Sequence, residues 1–335
     1  MKRTLFIGML GLSALMSGYA QQGEGVRKGR IVREPLVHDP VMAKEGDTYY
    51  LYSTGHNVSF FSSKDLSEWT IRHGVFSAPP PWAVDSIKGY EGHTWAPDII
   101  YYKGNYHLFY SCSTFGKNTS AIGHAYRKTL NPDSDEPWTD TGVVIVSHAH
   151  DNFNAIDPNI VIDEEGNPWM TFGSFWGGIQ LVRLTDDLTS TLKPEILYTI
   201  CTRQFEGASD VPSRSVNSVE APFIFKHGGY YYLFVSYDFC CRGLKSDYKV
   251  VVGRSTRVTG PYVDKDGREL TRGGGSLVVD SNDEFVAIGH SAAYHFDGKD
   301  YFMAHGYSRS EDGASNLFFR EMTWDEEGWP LVSAE

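Results

Sequence analysis

Five times along the chain a polar or glycine turn is followed by an unbroken apolar, aromatic-rich run. The runs are Gly46-Asp47-Thr48-Tyr49-Tyr50-Leu51-Tyr52, Gly104-Asn105-Tyr106-His107-Leu108-Phe109-Tyr110, Gly166-Asn167-Pro168-Trp169-Met170-Thr171-Phe172, Gly228-Gly229-Tyr230-Tyr231-Tyr232-Leu233-Phe234 and Gly298-Lys299-Asp300-Tyr301-Phe302-Met303-Ala304. Short continuous runs bounded by turn residues predict strands covered on both faces. The leading glycines at 46, 104, 166, 228 and 298 are spaced 58, 62, 62 and 70 residues apart. Further strands of small and β-branched residues follow, such as Ala121-Ile122-Gly123-His124-Ala125 and Val250-Val251-Val252-Gly253-Arg254. Steps of an acid and a proline precede them: His38-Asp39-Pro40-Val41, Ala96-Pro97-Asp98-Ile99, Ile156-Asp157-Pro158-Asn159 and Val219-Glu220-Ala221-Pro222. A repeat near 60 residues with room for about four strands is a propeller blade, so the pattern predicts an all-β, five-bladed β-propeller. Helical periodicity is absent, and no Pro/Ser-rich linker divides residues 21–335, which predicts a single domain.

Composition agrees with short strands and tight turns: aromatic residues make up 14% of the 335 residues, and 34 are glycine. The net charge of −12 excludes a nucleic-acid binder, which needs clustered Lys and Arg, and disfavours a polyanionic substrate. Residues 1–20 form an export signal: Lys2 and Arg3, an apolar stretch from Leu5 to Met16, then Gly18-Tyr19-Ala20 with small residues where a signal peptidase reads. The stretch is shorter than the ~20 residues that span a bilayer. Removing the leader takes away two positive charges and leaves −14. The expected mature protein is a secreted or periplasmic monomer with no membrane attachment. Four cysteines, Cys112, Cys201, Cys240 and Cys241, form no dense disulfide framework or zinc spacing, and they read as buried or partly buried thiols.

Asp39, Asp98, Asp157 and Glu220 fall at or near the starts of the expected inner strands, where a propeller aims side chains into its central channel. Carboxylates sharing one cavity repel each other, so at least one holds its proton and the set divides into acid and base. Glycoside hydrolysis needs that division. The plain alternative is that acid–Pro steps are turn residues repeated by symmetry. It suits Asp98, whose place is offset, better than Asp39, Asp157 and Glu220.

His38-Asp39-Pro40, Trp95-Ala96-Pro97-Asp98, Asn154-Ala155-Ile156-Asp157-Pro158-Asn159, Gly173-Ser174-Phe175-Trp176, Val219-Glu220-Ala221-Pro222 and Asp238-Phe239-Cys240-Cys241-Arg242-Gly243, in this order, resemble glycoside hydrolase family 43 and its endo-1,5-α-L-arabinanase branch. The resemblance runs from about Val37 to His290. It implies inverting hydrolysis of arabinan, with Asp39 as general base, Glu220 as general acid and Asp157 as the third carboxylate that orients the acid and tunes its pKa. It implies sugar contacts at Asp39, Gly116, Asn154, Ala155, Ile156, Asp157, Ser174, Phe175 and Trp176. Blade packing is a strong alternative for Phe175 and a weaker one for Trp176, and Trp95 is either a further sugar platform or core. His290, in Ile288-Gly289-His290-Ser291-Ala292, matches a histidine that holds a metal, usually calcium, largely through water. Calcium itself prefers oxygen ligands, and a hydrogen-bonded channel histidine is the alternative.

Two other readings stand beside this one. The first is an exo-acting arabinofuranosidase or xylosidase of the same family, which needs a channel blocked at one end. The second is a non-catalytic sugar-binding propeller, which has no use for three converging carboxylates. With the fifth repeat running close to Glu335, no appended sugar-binding module is expected, and soluble arabinan fragments are the expected substrate.

Overall fold

The computed structural model describes residues 29–203 and 217–333, so the expected leader lies outside the described residues. Five antiparallel sheets form a five-bladed β-propeller. From the inside outward, blade 1 contains Val41–Glu45, Thr48–Ser53, Ser59–Ser63, Trp69–Ile71 and, outermost, Ile31–Val32. Blade 2 is built on His93–Tyr102, Asn105–Cys112, Ser120–Arg127 and Thr139–Ser147, with the short Gly55–His56 pairing on its inner side. Blade 3 comprises Asn159–Ile162, Pro168–Phe172, Ile179–Arg183 and Tyr198–Cys201. Blade 4 comprises Val219–His227, Tyr230–Tyr237, Lys249–Ser255 and Ser276–Val279. Blade 5 comprises Phe285–Phe296, Lys299–Ser308, Ser315–Trp324 and Pro330–Val332.

The five glycine turns of the sequence are the hairpins that join each first strand to its second. Gly46, Gly104, Gly166, Gly228 and Gly298 all have φ between 56° and 87°, a conformation that any Cβ would strain. Each aromatic run is the second strand, and those strands are buried along almost their whole length. Blades fan out from an axis, so the gap between neighbouring faces widens outward and needs large side chains. Aromatic pairs fill it between blades 4 and 5: Phe223 and Tyr294 with centroids 5.5 Å apart, Phe234 and Phe302 at 5.9 Å. Each ring buried this way is worth roughly 1.5–3 kcal/mol.

Inner strands of successive blades touch in order around the ring, and the fifth meets the first. The segment before blade 1 closes the ring against the third strand of blade 5. Val37 N–H donates to the Ser315 carbonyl at 3.0 Å, and Leu317 N–H donates to the Pro35 carbonyl at 3.2 Å. The only α-helix of the described residues is Pro81–Ser86, a loop feature of six residues.

Candidate active site

Each blade carries one non-glycine residue in the left-handed region just before or within its inner strand: Asp39 (φ 55°), Ala96 (40°), Asp157 (59°), Ala221 (55°) and His290 (52°). Asp and His accept this conformation more readily than most residues, whereas Ala pays about 1–2 kcal/mol. In every blade the strained residue's N–H is caught by a side chain of the preceding blade. Asp39 donates to His305 Nδ1 (3.1 Å), Ala96 to Thr54 Oγ1 (2.8 Å), Asp157 to Ser111 Oγ (3.1 Å), Ala221 to Asp157 Oδ2 (3.1 Å) and His290 to Ser236 Oγ (2.8 Å). Bulges at Trp95/Asp98, Glu220/Phe223 and Gly289/Ala292 bend three of the inner strands at the same level.

This frame corrects the equivalence expected from sequence. Asp39 and Asp157 are true counterparts, and His290 is the third. Glu220 stands one residue ahead of its blade's counterpart, Ala221, and Asp98 stands two residues beyond Ala96. Asp98 is buried and ties blade 2 to blade 3, accepting from Ile160 N–H at 2.7 Å and Asn159 Nδ2 at 3.3 Å. Burial pushes its carboxyl up to about 7. Its work is structural, as its offset suggested.

Asp39 is surrounded by donors. Oδ1 lies 2.8 Å from His38 Nδ1 and 2.9 Å from His290 Nδ1, and Oδ2 accepts from Thr54 Oγ1 at 2.5 Å. Burial alone would raise its pKa. The positive charges of His290 and then His38 outweigh burial and hold Asp39 well below the usual carboxylate range. In turn Asp39 lifts His290 to about 8 against the effect of burial. Asp157 and Glu220 behave oppositely. Burial is the largest cause for both: it pushes Asp157 up to about 8 and raises Glu220, with repulsion from neighbouring anions adding to it. The carboxylates therefore divide into one shifted toward the ionised form and two shifted toward the protonated form, and mutual repulsion is not the main source of that split. Burial favours the proton on Glu220 and Asp157, and two imidazoles remove it from Asp39.

Ser174 Oγ donates to Glu220 Oε2 at 2.7 Å, so this expected sugar contact holds the acid. Ala155 is 0% exposed and its N–H is taken by Ser147 Oγ at 2.9 Å. With no exposed surface, Ala155 packs into the core of its blade. Asn154 and Ile156 are also buried, and Asn154 Oδ1 accepts from Ser120 Oγ at 2.7 Å. Gly116, in the loop between the second and third strands of blade 2, is half-buried, as are Trp95, Phe175 and Trp176. Trp95 Nε1 donates to His93 Nδ1 at 2.8 Å, which fixes the indole edge. Phe175 and Trp176 are consecutive left-handed residues (φ 55° and 39°), an arrangement held by Phe175 N–H to the Val219 carbonyl (2.8 Å) and Asn217 Nδ2 to the Trp176 carbonyl (2.9 Å). Strain of this kind persists only where surrounding contacts impose it.

Sequence reasoning gave no role to several residues that complete the site. Tyr307 OH lies 2.8 Å from His38 Nε2 and accepts from Cys241 N–H at 2.7 Å, linking the Asp238–Gly243 loop to Asp39 through one imidazole. In that loop the Phe239 ring sits 5.7 Å from Phe175, with the Arg242 guanidinium 3.9 Å above it. All four cysteines are free thiols: Cys112 and Cys201 are buried, and Cys241 is exposed with Sγ 3.8 Å from His38 Nε2. A signal for the supporting set existed in the sequence: Thr54, Ser111 and Ser236 all close second strands.

For a metal, the donors decide what fits. Nδ1 of His290 is engaged by Asp39, which leaves Nε2 as its one nitrogen for a cation. His290 therefore fits a hydrated ion, with water as most of the shell, and not a calcium ion caged by protein oxygens. Among the described residues, one group of three possible ligands has its atoms within 4.8 Å of one another: His38, Asp39 and His305. It offers two nitrogens and one oxygen, a transition-metal set, from residues already committed to Asp39.

Comparison with known proteins follows the same line. The sequence profile of glycosyl hydrolases family 43 matches residues 30–330. The extracellular exo-α-(1→5)-L-arabinofuranosidase of Cellvibrio japonicus is 48% identical over 298 residues, covering 88% of this chain and 86% of that protein. The extracellular endo-α-(1→5)-L-arabinanase 1 of Bacillus subtilis is 39% identical over 300 residues, covering 88% and 87%. The solved structure of Cellvibrio cellulosa α-L-arabinanase complexed with arabinohexaose superposes with a TM-score of 0.86 at 47% identity, covering 90% of this chain and 96% of that one.

Proposed function

The chain belongs to glycosyl hydrolases family 43, and from that premise we propose that it hydrolyses the α-1,5 linkages of L-arabinan with inversion, as an endo-acting enzyme. One observation carries the reading. Around the inner strands, two imidazoles and Thr54 hold Asp39 on the ionised side while burial shifts Glu220 toward its protonated form. Glu220 gives its proton to the leaving glycosidic oxygen. Asp39 accepts a proton from the water that attacks C1 from the opposite face. Asp157 supports the acid in two ways: its Oδ2 fixes the Ala221 N–H next to Glu220, and as it ionises toward pH 8 its charge opposes ionisation of Glu220. A protonated acid and an ionised base at neutral pH are what inversion needs, at a separation of about 6.5–9.5 Å that admits water. Half-buried Phe175, Trp176 and Trp95, with Gly116, supply the sugar-facing surface.

A calcium ion, if bound, would sit as a hydrated ion on His290, adding positive charge beside Asp39. No step above depends on it. Export as a monomer to the periplasm or medium fits the leader and the relatives named extracellular. Among the described residues, no helix is long and apolar enough to cross a membrane.

An exo mode is the second reading, favoured by the 48% identity to an exo-acting relative against 39% to an endo-acting one. Products from linear arabinan decide between them. Endo cleavage gives an early spread of oligosaccharides and a rapid fall in viscosity; exo cleavage gives one short product from the outset. Proton NMR of the first-formed sugar should show the β anomer. If the α anomer forms first, the roles of Asp39 and Glu220 are wrong.

A further inference from the structure

At the outer seam of blades 1 and 2 a recess of about 120 Å³ is lined by Phe60, Arg72, His73, Arg127, Pro132 and Trp138, among others. None of these belongs to the site at the channel. The volume is several times the roughly 30 Å³ share of one liquid water, so it admits a small organic group.

Its chemistry is unusual for a chain of net charge −12. Arg127 is 7% exposed, yet among the described residues it has no carboxylate partner within ion-pair distance. One of its nitrogens donates to the Asn131 carbonyl at 3.2 Å, its guanidinium carbon sits 5.7 Å from the Trp138 ring centre, and Nε is buried with no hydrogen-bond partner. Arg72, half-buried on the rim, uses Nε on Ser62 Oγ at 2.9 Å and likewise makes no ion pair among the described residues. Glu45, whose Oε2 is satisfied by Thr129 Oγ1 and Leu130 N–H at 2.9 and 2.8 Å, does not supply the missing charge. A buried guanidinium without a counter-ion is costly, and an orphaned N–H adds to that cost.

We propose that this recess is a binding site for a small organic carboxylate, whose two oxygens meet Arg127 and Arg72 and whose carbon body lies against Phe60 and Trp138. The fork of a guanidinium matches a planar carboxylate, and the aromatic walls suit a carbon-bearing anion better than a fully hydrated inorganic one. The shared chemistry could come from a free short-chain carboxylate or from the carboxylate end of an acidic sugar.

Calorimetric titration of the full chain at fixed ionic strength, with sodium acetate, sodium galacturonate, galactose and inorganic phosphate as probes, tests it. Saturable millimolar binding of acetate or galacturonate, with none of galactose, is expected. A tighter response to galacturonate assigns the site to acidic sugars, and an acetate response alone assigns it to short carboxylates. Arg72→Gln should weaken the binding about tenfold or more and leave kcat/KM on arabinan unchanged. Arg127→Gln should abolish it. If that variant does not fold, Arg72→Gln carries the test. Failure of both carboxylates to saturate, equal binding of galactose, tighter binding of phosphate, or an unchanged affinity in Arg72→Gln overturns the assignment.

Discussion

Asp157→Asn removes one ionisable proton and almost nothing else. Asn keeps an oxygen for the Ala221 N–H, and it tolerates the left-handed backbone that Asp157 adopts at φ 59°. In the native protein burial lifts Asp157 from an ordinary 3.8 to about 8. Between those values the folded chain holds a proton that the unfolded chain has lost. Wild-type stability from this group is therefore intact below about pH 4 and falls by ~1.4 kcal/mol per pH unit as pH rises to about 8. At pH 7 that is about three units, or an upper limit of ~4 kcal/mol; because the proton is shared with Glu220, about 2–4 kcal/mol is expected. Asp157→Asn should thus be as stable as wild type at pH 4 and more stable at pH 7, by chemical denaturation at each pH. It should also be a poor enzyme, with kcat/KM down about 100-fold and the alkaline limb of its pH profile moved toward acid near pH 8, where wild-type Asp157 takes up charge beside Glu220. Parallel pH–stability curves for the two proteins would refute the burial argument. An unmoved alkaline limb would refute the electrostatic one.

Glu220→Gln should lower arabinan hydrolysis by roughly 10²–10⁴-fold and spare an aryl arabinofuranoside, whose good leaving group needs less protonation, when initial rates on both are compared. Thr54→Val removes the 2.5 Å hydrogen bond to Asp39 and orphans the Ala96 N–H. Its acid limb should rise by about 1–2 pH units, from ~1.5–3 kcal/mol of lost charge-assisted bonding. Because Asp39 is depressed in the fold, its stabilising effect is present above the ordinary carboxylate range and lost in acid; Thr54→Val should therefore cost ~1–3 kcal/mol of its stability at pH 7 and less at pH 3 by urea unfolding. Dialysis against EDTA should lower activity and added calcium restore it, if a hydrated ion sits on His290. Unchanged rates would remove the ion.

The five blades were legible because a propeller repeats its physics. The glycine hairpins and aromatic second strands recur at nearly constant spacing, since each blade must bury both faces against its neighbours. Asp39, Asp157 and Glu220 were legible for the same reason: acid–Pro steps stood out against that repeat. The proline also held the register that was overlooked. Aligning Pro40, Pro97, Pro158 and Pro222 puts Ala96 and Ala221 level with Asp39 and Asp157, and shifts Asp98 and Glu220 out of line.

What the sequence by itself determined is the period, and with it the blade count and the blade that carries each acid. Those follow from local strand and turn preferences that each repeat expresses separately. The tertiary structure alone decided which acid is ionised. Asp39 owes its low pKa to His290, 251 positions away, and to His38 beside it, and Glu220 owes its raised pKa to burial, against the opposing hydrogen bond from Ser174. Desolvation and the charge of a residue distant in sequence depend on what the closed ring brings within a few ångströms, and no local pattern along the chain encodes that.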